Sequence, residues 1–183
     1  VLSLIILLPG VVSVVPLSAG EKFSEIWVLG SDRLIGSVPF IVSPGRAYTI
    51  YLDVGNHMGE LEYYAVHGKI RNQSEPLPDD AGRPSPLLPV FEFRMFSEND
   101  EILERRLDFS FPEVFFEGNT CRISGVLLNG YKVNVNKIVV WDTSAGGFYF
   151  QFFFELWIYE SAMTGFQFHN RYVQFWLNMT SES

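Results

Sequence analysis

Apolar residues in this 183-residue chain recur at every second position in short runs, and each run is cut off by Gly, Pro, Asn or Asp. Alternate side chains of a strand face opposite sides, so this period is that of half-buried β-structure. The clearest run is Ala47 to Val54, where Tyr48, Ile50, Leu52 and Val54 alternate with Ala47, Thr49, Tyr51 and Asp53. No long amphipathic helical period competes with it. The runs predict strands at Phe23 to Leu29, Val38 to Val42, Ala47 to Val54 and Leu61 to Ile70, with a turn over Gly55 to Gly59. Val90 to Phe96 and Glu101 to Phe111 read as a hairpin across Ser97 to Asp100. Arg105 falls on the apolar face of its second strand, and Glu101 to Leu107 alternatively form a helical turn or two. Arg122 to Leu128 and Tyr131 to Trp141 flank Asn129-Gly130, the strongest short hairpin signal. Phe148 to Tyr159 and Tyr172 to Met179 close the chain, joined by a polar loop over Glu160 to Asn170. Between Asn72 and Pro89, Pro76, Pro78, Pro84, Pro86 and Pro89 forbid a sheet interior, which predicts an exposed loop. About nine strands separated by turns make the expected fold all-β, an antiparallel immunoglobulin-like β-sandwich over 21–183 with an apolar N-terminal extension over 1–20.

Charge and cysteine content then remove several function classes. Lys+Arg number 13 and Asp+Glu 21, a net charge of -8, whereas phosphate tracking requires clustered cations. Nucleic acid is therefore not an expected partner. The single cysteine, Cys121, excludes an internal disulfide framework and any multi-cysteine zinc or iron–sulfur site within one chain. It follows Asn119-Thr120 without an identifiable base and reads as a small buried hydrophobe. There is no nucleophile elbow and no phosphate-binding glycine loop. His57, His67 and His169 share no recognised ligand spacing, and the acidic run Glu98 to Glu101 lacks the loop signature of a calcium site. No catalytic residue, metal or cofactor is expected, and the chain does not read as an enzyme.

The first 20 residues carry no charge and then meet Glu21 and Lys22. No soluble domain leaves such a segment exposed. Twenty helical residues would cross a hydrocarbon core of about 30 Å, but Pro9-Gly10 and Pro16 interrupt a helix. A signal peptide would end at Ser18-Ala19, without a basic start. As a strand, the segment places Leu2, Leu4, Ile6, Leu8, Val12 and Val14 on one face, with Ser3 and Ser13 on the other.

Gly20 to Gly30 and Val42 to His57 resemble the extracytoplasmic half of an archaeal family of predicted membrane proteins, domain-of-unknown-function family 1616, and the resemblance continues at Phe150 to Tyr159 and Arg171 to Thr180. It implies a domain outside the cytoplasm that follows transmembrane helices, of which this chain holds at most the last stretch. It implies no activity.

Two features remain. The run Phe148 to Trp157 puts rings on both strand faces, as in a strand buried on two sides or one that stacks carbohydrate on exposed rings. Asn72-Gln73-Ser74 and Asn178-Met179-Thr180 are N-glycosylation sequons. The expected function is an extracellular structural subunit of a cell-surface filament, copies of which polymerise by inserting the apolar N-terminal strand into a neighbour. The alternative is a membrane-anchored module binding a surface protein or glycan. N-linked glycans are expected at Asn72 and Asn178.

Overall fold

The period-two runs become ten strands in a computed structural model, which describes residues 21–181. They are β1 (Phe23–Leu29), β2 (Ile41–Val42), β3 (Tyr48–His57), β4 (Glu62–Arg71), β5 (Phe91–Ser97), β6 (Ile102–Glu117), β7 (Thr120–Leu128), β8 (Tyr131–Val140), β9 (Phe148–Glu160) and β10 (Gly165–Met179). Two five-stranded sheets face each other, one ordered β1-β3-β6-β7-β8 and the other β2-β10-β9-β4-β5. All pairings are antiparallel except β2 beside β10. The immunoglobulin-like sandwich expected from the alternation is the fold found.

Parity decides what fills the space between the sheets. Ile50, Leu52 and Val54 of β3, Leu107, Phe109 and Phe111 of β6, and Phe150, Phe152, Phe154 and Leu156 of β9 are buried together. Phe111 meets Phe150 edge-on with ring centroids 5.2 Å apart, and Phe109 meets Phe152 at 5.3 Å. Edge-to-face pairs of this kind favour the positive ring edge over the negative face. Burial pushes the Cys121 thiol up to about 12, so at neutral pH it is an inert part of this core.

At Asn129-Gly130 both residues adopt the left-handed backbone, φ 47° and 85°, that a two-residue turn matched to strand twist requires. Asn129 also locks the turn, donating its N–H to the Asp108 carbonyl at 2.8 Å and accepting the Asp108 N–H through its side chain at 2.8 Å. A β-branched residue at such a φ costs about 1–2 kcal/mol. Gly130→Val is therefore expected to lower the urea midpoint by that much stability, with an unchanged denaturant slope.

Several sequence expectations are corrected. The second run forms a strand only at Ile41–Val42, because Ile35–Ser37 turns as a 3₁₀ helix first. β3 runs on through Gly55, Asn56 and His57, which pair with β1, so the turn comes later. Of the two readings of Glu101 to Leu107 the strand is the one found, from Ile102 onward, and β6 continues past a bulge between Ser110 and Val114 that accommodates Pro112. The loop after β9 is short, because β10 begins at Gly165 and absorbs His169 and Asn170 in a bulge. Most consequentially, β5 and β6 are not a hairpin: β5 pairs with β4 in one sheet and β6 with β3 and β7 in the other. Asn56 causes the crossing. Its N–H donates to the Glu101 carbonyl at 3.0 Å, its carbonyl accepts from Asp100 at 2.7 Å, and its side-chain amide donates to Ser97 at 2.8 Å.

The proline-rich segment is also not simply exposed. Its Ser85 sits against the outer face of β4 and β9. Beneath it, Lys69 and Glu155 form an ion pair of 2.8 Å with side chains 3% and 0% exposed. Ser85 completes the pair, its carbonyl accepting from Lys69 and its N–H donating to Glu155, each at 2.8 Å. Phe153, on the same face of β9, is fully buried.

Candidate functional site

A sandwich with open sheets has four edge strands, and an unpaired edge offers main-chain donors and acceptors to another strand. The edges here are β1, β8, β2 and β5. β2 has two residues only. β8 is blocked: the Asn72 side chain donates to the Ile138 carbonyl and that of Gln73 to the Val140 carbonyl, both at 3.0 Å. Lys137 pairs with Glu75 at the same margin at 2.5 Å, and a bulge opposite Ser124 puts Asn136 in the left-handed region.

β5 is not blocked in this way. Among the described residues, its backbone bonds to β4 and then, at Ser97 alone, to the Asn56 side chain. Its free side overlooks a groove of about 440 Å³ between the sheets, lined by Phe91 and Phe93 of β5, Arg105 and Leu107 of β6, Leu128 of β7, and Tyr131 and Val133 of β8. Gly68 of β4 makes this geometry available, because a Cβ there would lie 2.0 Å from the Phe91 ring. Phe91 thus roofs the inner end of the groove and touches Phe154 edge-on, with centroids 5.9 Å apart. Arg105 stands at the mouth on the core-facing parity of β6, 5.6 Å above the Phe93 ring, with no ion pair among the described residues. It is solvated because no strand lies beyond β5 to cover it.

The outward rings of β9 are mostly engaged by the protein itself. Trp157 lies between His67 at 4.8 Å and Phe168 at 5.8 Å, and Tyr159 beside Phe166 at 5.5 Å. Tyr63 stacks on Phe96 at 4.2 Å, which leaves the Phe96 ring, 64% exposed, as the most open ring of this row. The two-sided burial of β9 follows, with rings and the proline-rich segment as its second layer.

The three histidines are separate. His57 is bracketed by Asp100 at 2.9 Å and Glu25 at 3.2 Å, and these carboxylates raise its pKa above the ordinary 6.5. His67 pairs with Glu92 at 3.0 Å but burial lowers its pKa, and burial lowers that of His169. A raised folded-state pKa stabilises the fold below the unfolded value and loses that contribution as pH rises through the folded value. His57→Gln is therefore expected to remove a part of the stability that wild type shows at pH 5.5 and loses by pH 8, read from thermal midpoints across that range. Among the described residues no group of three or more His, Cys, Asp or Glu side chains is arranged to hold a metal.

Asp53 and Glu104, opposite each other on β3 and β6, have pKa values pushed apart: burial raises Asp53, and the Arg33 hydrogen bond lowers Glu104. Separation of this kind marks acid–base pairs, but Asp53 is 5% exposed and a general acid must reach a reacting atom. One Asp53 carboxylate oxygen has no hydrogen-bond partner among the described residues. Asp53→Asn is expected to stabilise the fold at pH 7 by about 1 kcal/mol and not at pH 3, where the carboxyl is already neutral.

Leu2, Leu4, Ile6, Leu8, Val12 and Val14 lie outside the described residues. Asn72 is half-buried, and its carboxamide oxygen accepts from the Ser74 N–H and hydroxyl at 3.0 Å and from the Glu75 N–H at 3.1 Å. Asn178 is half-buried on the outward parity of β10, where its side-chain oxygen accepts the Phe148 N–H at 3.0 Å. The groove residues themselves escaped the sequence reading. Arg105, a cation on an apolar parity, was their one sequence signal.

No protein-family model and no curated protein matches the chain. Solved structures of similar fold include the complex of zinc 2-glycoprotein and prolactin inducible protein from human seminal plasma, at 10% identity and a TM-score of 0.40, covering 89% of this chain and 99% of that one. A β-glucosidase from Listeria innocua matches at 9% identity and a TM-score of 0.36, over 88% of this chain and 17% of the enzyme. The PapD-like domain 7 of human CEP192 matches at 10% identity and a TM-score of 0.31, covering 92% of each chain. At these identities and TM-scores no property of these proteins is carried to this chain.

Proposed function

We propose that the protein is an extracellular structural subunit that polymerises when the apolar N-terminal segment of one copy adds as a strand beside β5 of the next. The carrying observation is the free edge of β5 above an apolar groove. Leu2 to Leu8 are seven residues, as is β5, and extend to about 24 Å at strand rise. Main-chain bonds to β5 supply affinity, while Leu2, Leu4, Ile6 and Leu8 meet Phe91, Phe93, Leu107, Leu128 and Val133. Four buried aliphatics contribute about 6–12 kcal/mol, against an association cost of about 4–15 kcal/mol. The edge hydrogen bonds therefore decide whether the contact holds. Val12 and Val14, beyond Pro9-Gly10, extend the same face toward the donor's own domain. A head-to-tail contact that does not close propagates as a filament. The sequons and the family resemblance support an extracellular location.

The test is a cysteine pair, Leu4→Cys with Val133→Cys, since the buried Cys121 does not compete. Oxidation is expected to give a ladder of covalent multimers on a non-reducing gel, and electron microscopy to show filaments. Oxidised monomers carrying the internal bond would place the segment in its own groove, and free thiols in a protein without filaments would end the proposal.

A second reading rests on Phe96. Its open ring at the end of an aromatic row suits a surface protein or glycan, bound by a module that residues 1–20 anchor in a membrane. Among the described residues no helix is long and apolar enough to cross one. Under this reading detergent releases the protein, and mutation of the groove does not.

A further inference from the structure

A second cleft, on the outer face of the β6-β7-β8 sheet, has an occupant within covalent reach. It holds about 380 Å³ and is lined by Phe115 and Glu117 of β6, Thr120, Arg122 and Ser124 of β7, and Ile138 of β8. Phe115, Arg122 and Ile138 stand in one cross-strand row, and the Phe115 ring is 60% exposed. Arg122 makes no ion pair among the described residues. An open ring with a guanidinium, two hydroxyls and a carboxylate around it matches a sugar. The C–H face of a pyranose packs on the ring, and its hydroxyls meet the polar rim.

The Asn72 carboxamide nitrogen lies 3.0 Å from the carbonyl of Ile138, whose side chain lines this cleft. Its oxygen is held by the Ser74 hydroxyl, the sequon contact, at 3.0 Å. We propose that Asn72 carries an N-linked glycan whose first sugars lie in this cleft against Phe115. The donor is a glycosyl diphosphate of a lipid carrier. The bond from the Asn72 nitrogen to the sugar C1 forms, the nitrogen gives up one proton, and the C1–oxygen bond breaks with its electron pair leaving on the diphosphate. One N–H remains on the nitrogen for the Ile138 carbonyl, so the modification and the cap on the β8 edge coexist. The sugar then covers the margin of β8 and leaves β5 open for pairing. The inference stands on different residues from the assembly groove.

The full chain, secreted from a eukaryotic cell that transfers N-glycans, provides the test. Glycopeptide mass spectrometry is expected to find Asn72 modified in wild type and in Ser74→Thr, and unmodified in Ser74→Ala. On the folded protein, peptide-N-glycosidase is expected to release the Asn72 glycan about tenfold faster from Phe115→Ser than from wild type, the ratio that loss of one ring contact implies. Arg122→Ser, also on the surface, provides a second reading should Phe115→Ser fail to fold by circular dichroism. An unmodified Asn72 in folded wild type would overturn the proposal. So would equal release rates from wild type and a folded cleft variant.

Discussion

Replacing Lys69 by Met is expected to cost about 3–5 kcal/mol, the largest loss from any single substitution considered. Glu155 is fully buried, and among the described residues Lys69 is its only cationic partner at hydrogen-bond distance. Without Lys69 the carboxylate must stay charged and unpaired or take up a proton, and the Ser85 carbonyl loses its donor. Both outcomes weaken the attachment of the proline-rich segment. Urea denaturation measures the loss, and cleavage at Asp79-Asp80 by an Asp-specific endoprotease reports whether the segment lifts before the sandwich opens. The double variant Lys69→Met with Glu155→Leu is expected to recover a large part of the deficit, because an apolar pair removes both desolvation costs. The unfilled remainder belongs to Ser85 and Trp157, whose backbone and indole N–H groups then lack their carboxylate. A single-variant loss below 1 kcal/mol would mean that the pair is solvated.

These residues also mark where sequence reading reached and where it stopped. Alternation revealed strands and their inward faces, because burial of one face is a local property of each run. Asn129-Gly130 was equally legible, since its left-handed backbone excludes most other pairs. Which sheet a strand joins is not local. β5 and β6 satisfy the hairpin pattern and still part company, because Asn56, some forty residues upstream, holds their connection against the end of β3. The cover over β9 was half legible. Gln151 and Glu155 interrupt a run of rings, and a buried polar side chain demands a partner. Lys69, between Gly68 and Ile70 of β4, was the complementary signal. The sequence could not tell that a proline-rich segment would bring Ser85 to both. The β5 groove was hidden for the same reason, since it exists only where two sheets part, and Arg105 alone betrayed it.

Leu4→Asp together with Ile6→Asp is expected to abolish filaments while leaving the sandwich at its wild-type thermal midpoint. Each replacement removes about 1.5–3 kcal/mol of burial and puts a carboxylate among rings and aliphatic side chains, where the groove's one cation, Arg105, can pair with only one of the two, so affinity should fall by more than about a hundredfold. Sedimentation velocity and electron microscopy read the outcome. The informative comparison is Ser3→Asp. In a strand lying beside β5, residue 3 points away from Phe93, Leu107 and Val133, and a charge there stays in water. Assembly should then survive with affinity changed by less than about tenfold. A membrane helix has no period of two, so a carboxylate at residue 3 costs about as much as one at its neighbour, residue 4. Comparable damage from Ser3→Asp and from the double variant would therefore remove the strand reading in favour of a helical anchor, whereas survival of Ser3→Asp alone requires the two-residue period that only an extended segment has.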